Sequence, residues 1–333
     1  MKRRRHPKTI LALLVLALIV AVMVSINLGS KHLSLSQFLA TFWGRGAWTD
    51  NLVMFDLRLP RILLAILIGM GVSTSGVVLQ GITKNDLAGP DTVGVNAGSG
   101  LGMMFLLVAY PTAATTLPWL LPLGAVAGAA IVTLLVFGLA YRHGSVLPTR
   151  LLLVGIAVGF GAHAMMLMLS LRMSFAMYNY VVTWMSGTLS AANWNSVLLL
   201  APCCAILIPA AVSRARVLNA FSLGREMAAM LGVNVERQRL LLLGMATLLT
   251  SACVATGGHI GFLGLAAPHV ARRLVGSRYG VVFPAAILCG AILLVVADGL
   301  GRHLLAPVEI PAGVLVGILG GIYFLYLLVR TKG

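Results

Sequence analysis

"FDLRLPRILLAILIGMGVSTSGVVLQGITKNDLAGPDTVGVNAGSG", residues 55–100, holds no charged side chain between Arg61 and Lys84. A helix needs about 20 apolar residues to cross roughly 30 Å of hydrocarbon, so 60–81 reads as a membrane span. Pro60 ends an extended approach and suits the first helical turn, where its missing N–H leaves no bond unmade. A second apolar run covers 92–110 and opens on the glycine cluster "GVNAGSGLG" (94–102). That cluster resembles a dinucleotide fingerprint only in its glycines. It follows no strand and begins a span, so it reads as close helix packing through small residues.

Windows of the same kind recur at 9–29, 119–141, 150–171, 193–212, 239–257, 259–275, 281–300 and 308–329. With 59% hydrophobic and 10% charged residues and a mean hydropathy of +1.00, a water-soluble domain would leave large apolar patches wet. The fold class is therefore an all-α polytopic membrane protein of about ten transmembrane helices, a single permease domain over 1–333. The start, "MKRRRHPKTILALLVLALIVAVMV", has an apolar run long enough to span and no convincing small-x-small cleavage site, so it reads as a retained first helix. An aromatic-containing stretch, 173–194, joins the fifth and sixth spans.

Cytoplasmic loops accumulate Lys and Arg. With the N-terminus inside and ten spans, eighteen of the 24 basic residues fall inside, and Lys31, Arg45, Arg58, Arg61, Arg172 and Arg302 fall outside. Both termini are expected to be cytoplasmic. The formal charge of +16 then reports orientation and contact with lipid headgroups, with no role for nucleic acid.

The chain is poor in catalytic chemistry. Cys203, Cys204, Cys253 and Cys289 lie in spans without metal-ligand spacing and read as small core residues. His259 and His269 stand ten apart, which no helical metal motif uses. No lysine follows a glycine, which excludes a phosphate-binding P-loop. Asp50, Asp56, Asp298 and Glu309 fall toward the outer face and Asp86, Asp91, Glu226 and Glu236 toward the inner one, so a buried pair for catalysis or ion coupling is lacking. Asp298 is expected to pair with Arg302, one helical turn on. No cofactor or metal is expected, and the chemistry that drives the protein is expected to lie in a partner.

One charged segment interrupts this apolar chain, "SLGREMAAMLGVNVERQR" at 222–239. Leu223, Met227, Met230 and Leu231 form one apolar stripe of a short helix, with Ser222 as N-cap and Gly232 at its end. Between the sixth and seventh spans it faces the cytoplasm, either lying in the headgroup region or inserting into a soluble partner.

"LGREMAAMLGV" resembles the Leu-Gly-x-Glu-x-Ala-x-x-Leu-Gly segment of the FecCD/BtuC-like permeases. These are the membrane subunits of binding-protein-dependent ABC importers for iron-siderophores, haem and cobalamin. The 55–100 stretch is similar to their Arg-Leu-Pro-Arg entry followed by Gln-Gly-x-x-x-Asn-x-Leu-Ala-x-Pro. "GHIGFLGLAAPHVARRLVG" (258–276) and "ADGLGR…EIPAGVLVGILGG" (297–321) resemble two further family signatures. Asp86 and Ile322 stand where the family usually has Pro, which bears on substrate more than on membership.

The resemblance implies a BtuC-like (type II ABC importer) fold in the cytoplasmic membrane and a transport subunit that is no enzyme. It implies a separate ATPase dimer, an extracytoplasmic substrate-binding protein and a second permease subunit, identical or a sister. The cargo it implies is a ferric siderophore, with haem or cobalamin as alternatives and an ion-coupled carrier as the competing class. By position, Leu223, Gly224, Glu226, Ala228, Leu231 and Gly232 (within 222–232) are assigned to ATPase coupling. Arg58, Arg61 and Arg302 are assigned to docking of the binding protein, or else to snorkelling toward headgroups. Gly258, Gly261, Gly264 and Pro268 are assigned to gating or packing. The Met-rich fifth span, "HAMMLMLSLRMSFAM", reads as packing filler or as an adaptable ligand lining.

Overall fold

The computed structural model describes residues 6–27, 43, 47–111, 119–142, 145–306 and 308–330; the orientation markers Lys2, Arg3, Arg4, Arg5, Lys31, Arg45 and Lys332 lie outside them. The first helix, α1 (Pro7–Asn27), is apolar over most of its length and more exposed than buried along its sides, with Ser25 and Ile26 buried near its end. A helical turn at Trp48–Asn51, a π-helical stretch over Leu52–Arg58 and α2 (Leu59–Thr83) form one continuous run. Pro60 occupies the opening turn of α2 as expected, but the approach to it is helical where an extended one was expected, and Lys84 ends α2 in the left-handed region at φ 52°.

Then follow α3 (Val95–Ala109), α4 (Leu120–Ala140), α5 (Pro148–Ser170), α6 (Phe175–Met185) and α7 (Trp194–Ser213). A two-residue hairpin pairs Tyr141 with Val146 between α4 and α5. The rest comprises α8 (Ala215–Ser222), α9 (Arg225–Met230), α10 (Val235–Gly257), α11 (Leu263–Val275), α12 (Tyr279–Leu304) and α13 (Ala312–Arg330).

Among the described residues seven helical runs are long and apolar enough to cross a membrane: α1, the 48–83 run, α4, α5, α7, α10 and α12. The third and tenth expected spans are the shorter apolar helices α3 and α13. The eighth, 259–275, contracts to the 13 residues of α11. At 1.5 Å per residue α11 covers about 20 Å, short of the hydrocarbon thickness. The aromatic stretch 173–194 contains α6, whose N-cap Ser174 accepts a bond from the Met177 amide.

Hydrophobicity alone cannot drive helices together in lipid, so backbone proximity and interhelical hydrogen bonds decide the packing. The most buried helix, α2, is surrounded by α7, α10, α11 and α12. At Gly76 a Cβ would lie 1.7 Å from the Gly264 carbonyl oxygen, so nothing larger than glycine fits there. The 94–102 cluster packs α3 on α4 as expected: a Cβ on Gly102 would stand 2.1 Å from the Gly124 carbonyl oxygen. In the core the Thr250 hydroxyl donates to Ser75 Oγ (2.6 Å), which donates to the Ala246 carbonyl (2.8 Å). Cys204 and Cys253 are buried core residues.

Candidate functional site

The 222–239 segment departs from its sequence reading where its short helix begins. Ser222 Oγ donates to the Asn219 carbonyl (2.6 Å) and closes α8, and the N-cap of α9 is Gly224, at φ +114°. A free φ at Gly224 lets the chain turn sharply between two short helices, which a serine cap could not achieve. Ala228 is fully buried, and Leu223, Met227, Met230 and Leu231 are all exposed, Leu231 at 62%. Leu223 caps α8 ahead of the Gly224 break and Leu231 caps α9, so the four do not form one helical stripe as expected, but all four are uncovered.

Ion pairs anchor this loop to α10. Arg225 lies 3.6 Å from Glu236, and Arg239 contacts the same carboxylate at 3.2 Å while donating to the Val146 carbonyl at 2.6 Å. Asn234 caps α10 by accepting from the Arg237 amide at 3.1 Å. The loop is thus fixed to a long helix that runs into the core.

At the opposite end the structure brings Arg58, Arg61 and Arg302 together, but inward. Arg58 donates to the Ile26 carbonyl (2.6 Å), and Arg302 to the Ser25 carbonyl (3.0 Å) and hydroxyl (2.7 Å). A helix end leaves its last carbonyls without partners, and cations there are favoured by the helix dipole. Two guanidinium groups therefore cap α1. Arg61 is bidentate to Asp298 (2.9 and 3.1 Å) and reaches Glu309 at 2.9 Å. The expected Asp298–Arg302 pair exists at 3.2 Å, but Arg61 shares the same carboxylate. Of these groups Glu309 is the most accessible, at 41%. Both readings had these arginines pointing out, toward a partner or toward lipid, and the cost of uncapped carbonyls near the membrane turns two of them in.

Between the two ends, the chain breaks twice where helices surround it. The 84–94 segment folds back beside α11, with Gly89 against Leu265, and Gly155 of α5 packs on Thr92. The 258–262 segment turns at Gly258 (φ +72°), where a Cβ would meet the Trp184 carbonyl oxygen at 2.0 Å. The two breaks meet through Asp91 and His259, 2.7 Å apart. Asn96 Nδ2 also donates to Asp91 Oδ1, at 2.5 Å. His163 of α5 binds the Gly159 carbonyl through Nδ1 at 2.8 Å.

Two cavities adjoin this cluster, of about 230 and 510 Å³, and share Asp91, Thr92, Met185 and His259 in their walls. Phe160, Ile156 and Trp184 line the first, and Phe262, Leu265 and Val314 the second. Of the residues assigned to gating or packing, Gly258 shapes the turn and Gly261 lies beside the His259 ring. Gly264 packs on α2, and Pro268 is buried within α11.

Sequence reasoning missed this pair, because its members lie 168 positions apart and each looks like a loop residue. The signal was the Gly/Pro interruption of two apolar runs, which in membrane proteins marks sites where irregular backbone lines a cavity.

Comparison with known proteins agrees with this architecture. Residues 17–330 match the FecCD transport family. The iron(3+)-hydroxamate import system permease protein FhuG of Bacillus subtilis (strain 168) is 40% identical over 99% of both chains. The ferric enterobactin transport system permease protein FepG of Escherichia coli (strain K12) is 35% identical over 96% of this chain and 95% of its own. A solved structure described as an inward-facing conformation of a putative metal-chelate type ABC transporter superposes with a TM-score of 0.84, at 28% identity over 97% of this chain and 99% of that one. With a match that runs nearly end to end, and several helices fit to cross a membrane, this chain belongs to the FecCD family of multi-pass membrane transport permeases.

Proposed function

We propose that the chain is the translocating subunit of an ABC importer that carries a ferric siderophore inward across the cytoplasmic membrane. The observation that carries this reading is the 222–232 loop. It offers exposed leucines and methionines at the cytoplasmic end while being bolted by Glu236 to α10. Such a knob suits the groove of a separate ATPase and can pass on a rigid-body motion without melting. Leu223, Gly224, Glu226, Ala228, Leu231 and Gly232 belong to it, with Ala228 as its buried root and Gly224 as its hinge to α8.

A second permease subunit completes the path, and an extracytoplasmic binding protein delivers the cargo. Docking at the outer rim runs through the Arg61–Glu309 pair, with Arg58 and Arg302 holding the rim's shape. The relatives named for hydroxamate, citrate and enterobactin complexes support iron chelates as the cargo class.

The test is reconstitution in liposomes with the partner ATPase and binding protein, read as ATP-dependent uptake of radioactive iron in chelate form. Uptake that requires both partners supports the reading. Uptake of haem or cobalamin alone, or uptake driven by an ion gradient without ATP, overturns it.

A further inference from the structure

Resting on the permease reading, we infer that Asp91, His259 and Asn96 form a cargo-contact site on the wall of the translocation path, and that it favours an electroneutral ferric chelate over a polyanionic one.

Position comes first. The site sits where α3 and α11, the two short helices flanking the chain breaks, both begin. Non-helical backbone within a bundle is stable in a membrane only if buried in protein or lining a polar cavity. Here it lines two, which meet at this pair.

Unused bonding capacity comes second. Asn96 is 8% exposed, and its Oδ1 has no partner among the described residues. Its amide cannot be reversed, because Oδ1 would then face Asp91 Oδ1 at 2.5 Å. His259 is held through Nε2, which leaves Nδ1 without a hydrogen bond among the described residues. Its ring is 36% accessible, on the cavity side. Asp91 accepts from both His259 and Asn96, so it positions the two groups that touch cargo.

Charge comes third. Among the described residues lining both cavities there is one carboxylate, Asp91, and no Lys or Arg. The carboxylate is matched by His259 and by the side-chain amide of Asn96. A polyanion would find no Lys or Arg in walls whose remaining polar groups are Asn96, Thr92, Ser186 and the His163 ring, already bonded to the Gly159 carbonyl, and an unpaired charge among Phe, Ile, Leu, Trp and Met is costly. A chelate whose hydroxamate oxygens are already neutralised by the iron can instead accept the Nδ1–H of the His259 imidazolium that Asp91 pairs, while an amide N–H of its backbone donates to Asn96 Oδ1.

The experiment uses the reconstituted complex with ATPase and binding protein. Probes are a ferric tris-hydroxamate, which is neutral, and a ferric tris-catecholate, which is polyanionic, each delivered on a binding protein saturated with it. Rates are expressed relative to wild type for each chelate separately, so the binding protein's preference cancels. Asp91→Asn and His259→Gln should each slow the neutral chelate about tenfold, the size of one lost charge-assisted hydrogen bond. ATPase stimulation by the loaded binding protein should persist. Gly317→Lys is the second variant, because Gly317 lines the second cavity and a Cβ there meets nothing within 4 Å. Its added cation should raise catecholate transport relative to hydroxamate. The inference is overturned if both chelates slow in equal proportion and ATPase stimulation is lost with them, or if Gly317→Lys leaves their ratio unchanged. Wild-type complex that moves neither chelate sinks the permease reading itself, and this inference with it.

Discussion

The two ends of this protein invert the usual rule in opposite senses. At the rim that caps α1, charged groups are buried: Arg58, Arg302 and Asp298 are each under a tenth exposed. At the 222–232 loop, large apolar groups are uncovered: Leu223, Met227, Met230 and Leu231 stand half or more exposed. The rim has satisfied its bonding within the chain. The loop has left its burial undone, which is what a docking element requires. The contrast separates a region whose charges are bonded within the chain from one whose apolar groups are left uncovered, although the sequence reading assigns both to partners.

The largest test of this contrast is Asp298→Ala. It leaves Arg61 and Arg302 buried with half their countercharge gone, and breaking a buried pair costs about 3–5 kcal/mol. Thermal unfolding of the detergent-purified protein should show a much lower midpoint, and an unchanged midpoint would mean that the rim is not the cohesive end.

Leu231→Asp is next, at the other end. Folding should be altered by no more than about 0.5 kcal/mol because the side chain is exposed. Transport and ATPase co-purification should nevertheless fall, since docking would bury an unpaired carboxylate at a cost of several kcal/mol. Co-purification equal to wild type would remove the loop from its coupling role.

Glu309→Gln is milder. The pair with Arg61 is partly exposed and worth about 0–1 kcal/mol, so stability should hardly move. The partly released Arg61 should change the salt dependence of binding-protein association, measured between 0.1 M and 1 M salt, where the Debye length falls from about 10 to about 3 Å. Association insensitive to both salt and this variant would take docking away from the rim.

The smallest effect is a labelling pattern. Cysteines placed at Ser277, and at Ser174 or Ala191, should leave function intact and react only from the cytoplasm and only from outside, respectively. Reaction of Ser277→Cys from outside would invert the two ends.

Much of this architecture was legible because the membrane imposes length and hydrophobicity on a span. The runs at 60–81, 119–141 and 281–300 each became helices of 21 to 26 residues. The 258–276 motif has a related physical basis: its Gly264 meets Gly76 in a backbone-to-backbone contact that leaves no room for a side chain. What stayed hidden depends on pairs distant in sequence. Nothing near Arg58 suggests the Ile26 carbonyl, and nothing near Asp91 suggests His259. The shortening of the eighth span was also hidden, because hydropathy averages over the Gly258 turn and cannot see that "GHIGF" carries no helix.

The capping of α1 by Arg58 and Arg302 has a consequence for how the protein is made. Ser25 enters the membrane early, but the guanidinium that binds it is encoded 277 residues later. At a synthesis rate of about 5–20 residues per second, that interval is roughly 15–55 seconds. During it Arg58 alone can hold the end of the first helix. The ribosome therefore delivers the clasp almost last, and a nascent chain stalled before Arg302 should present a first helix still free to wander laterally in the bilayer.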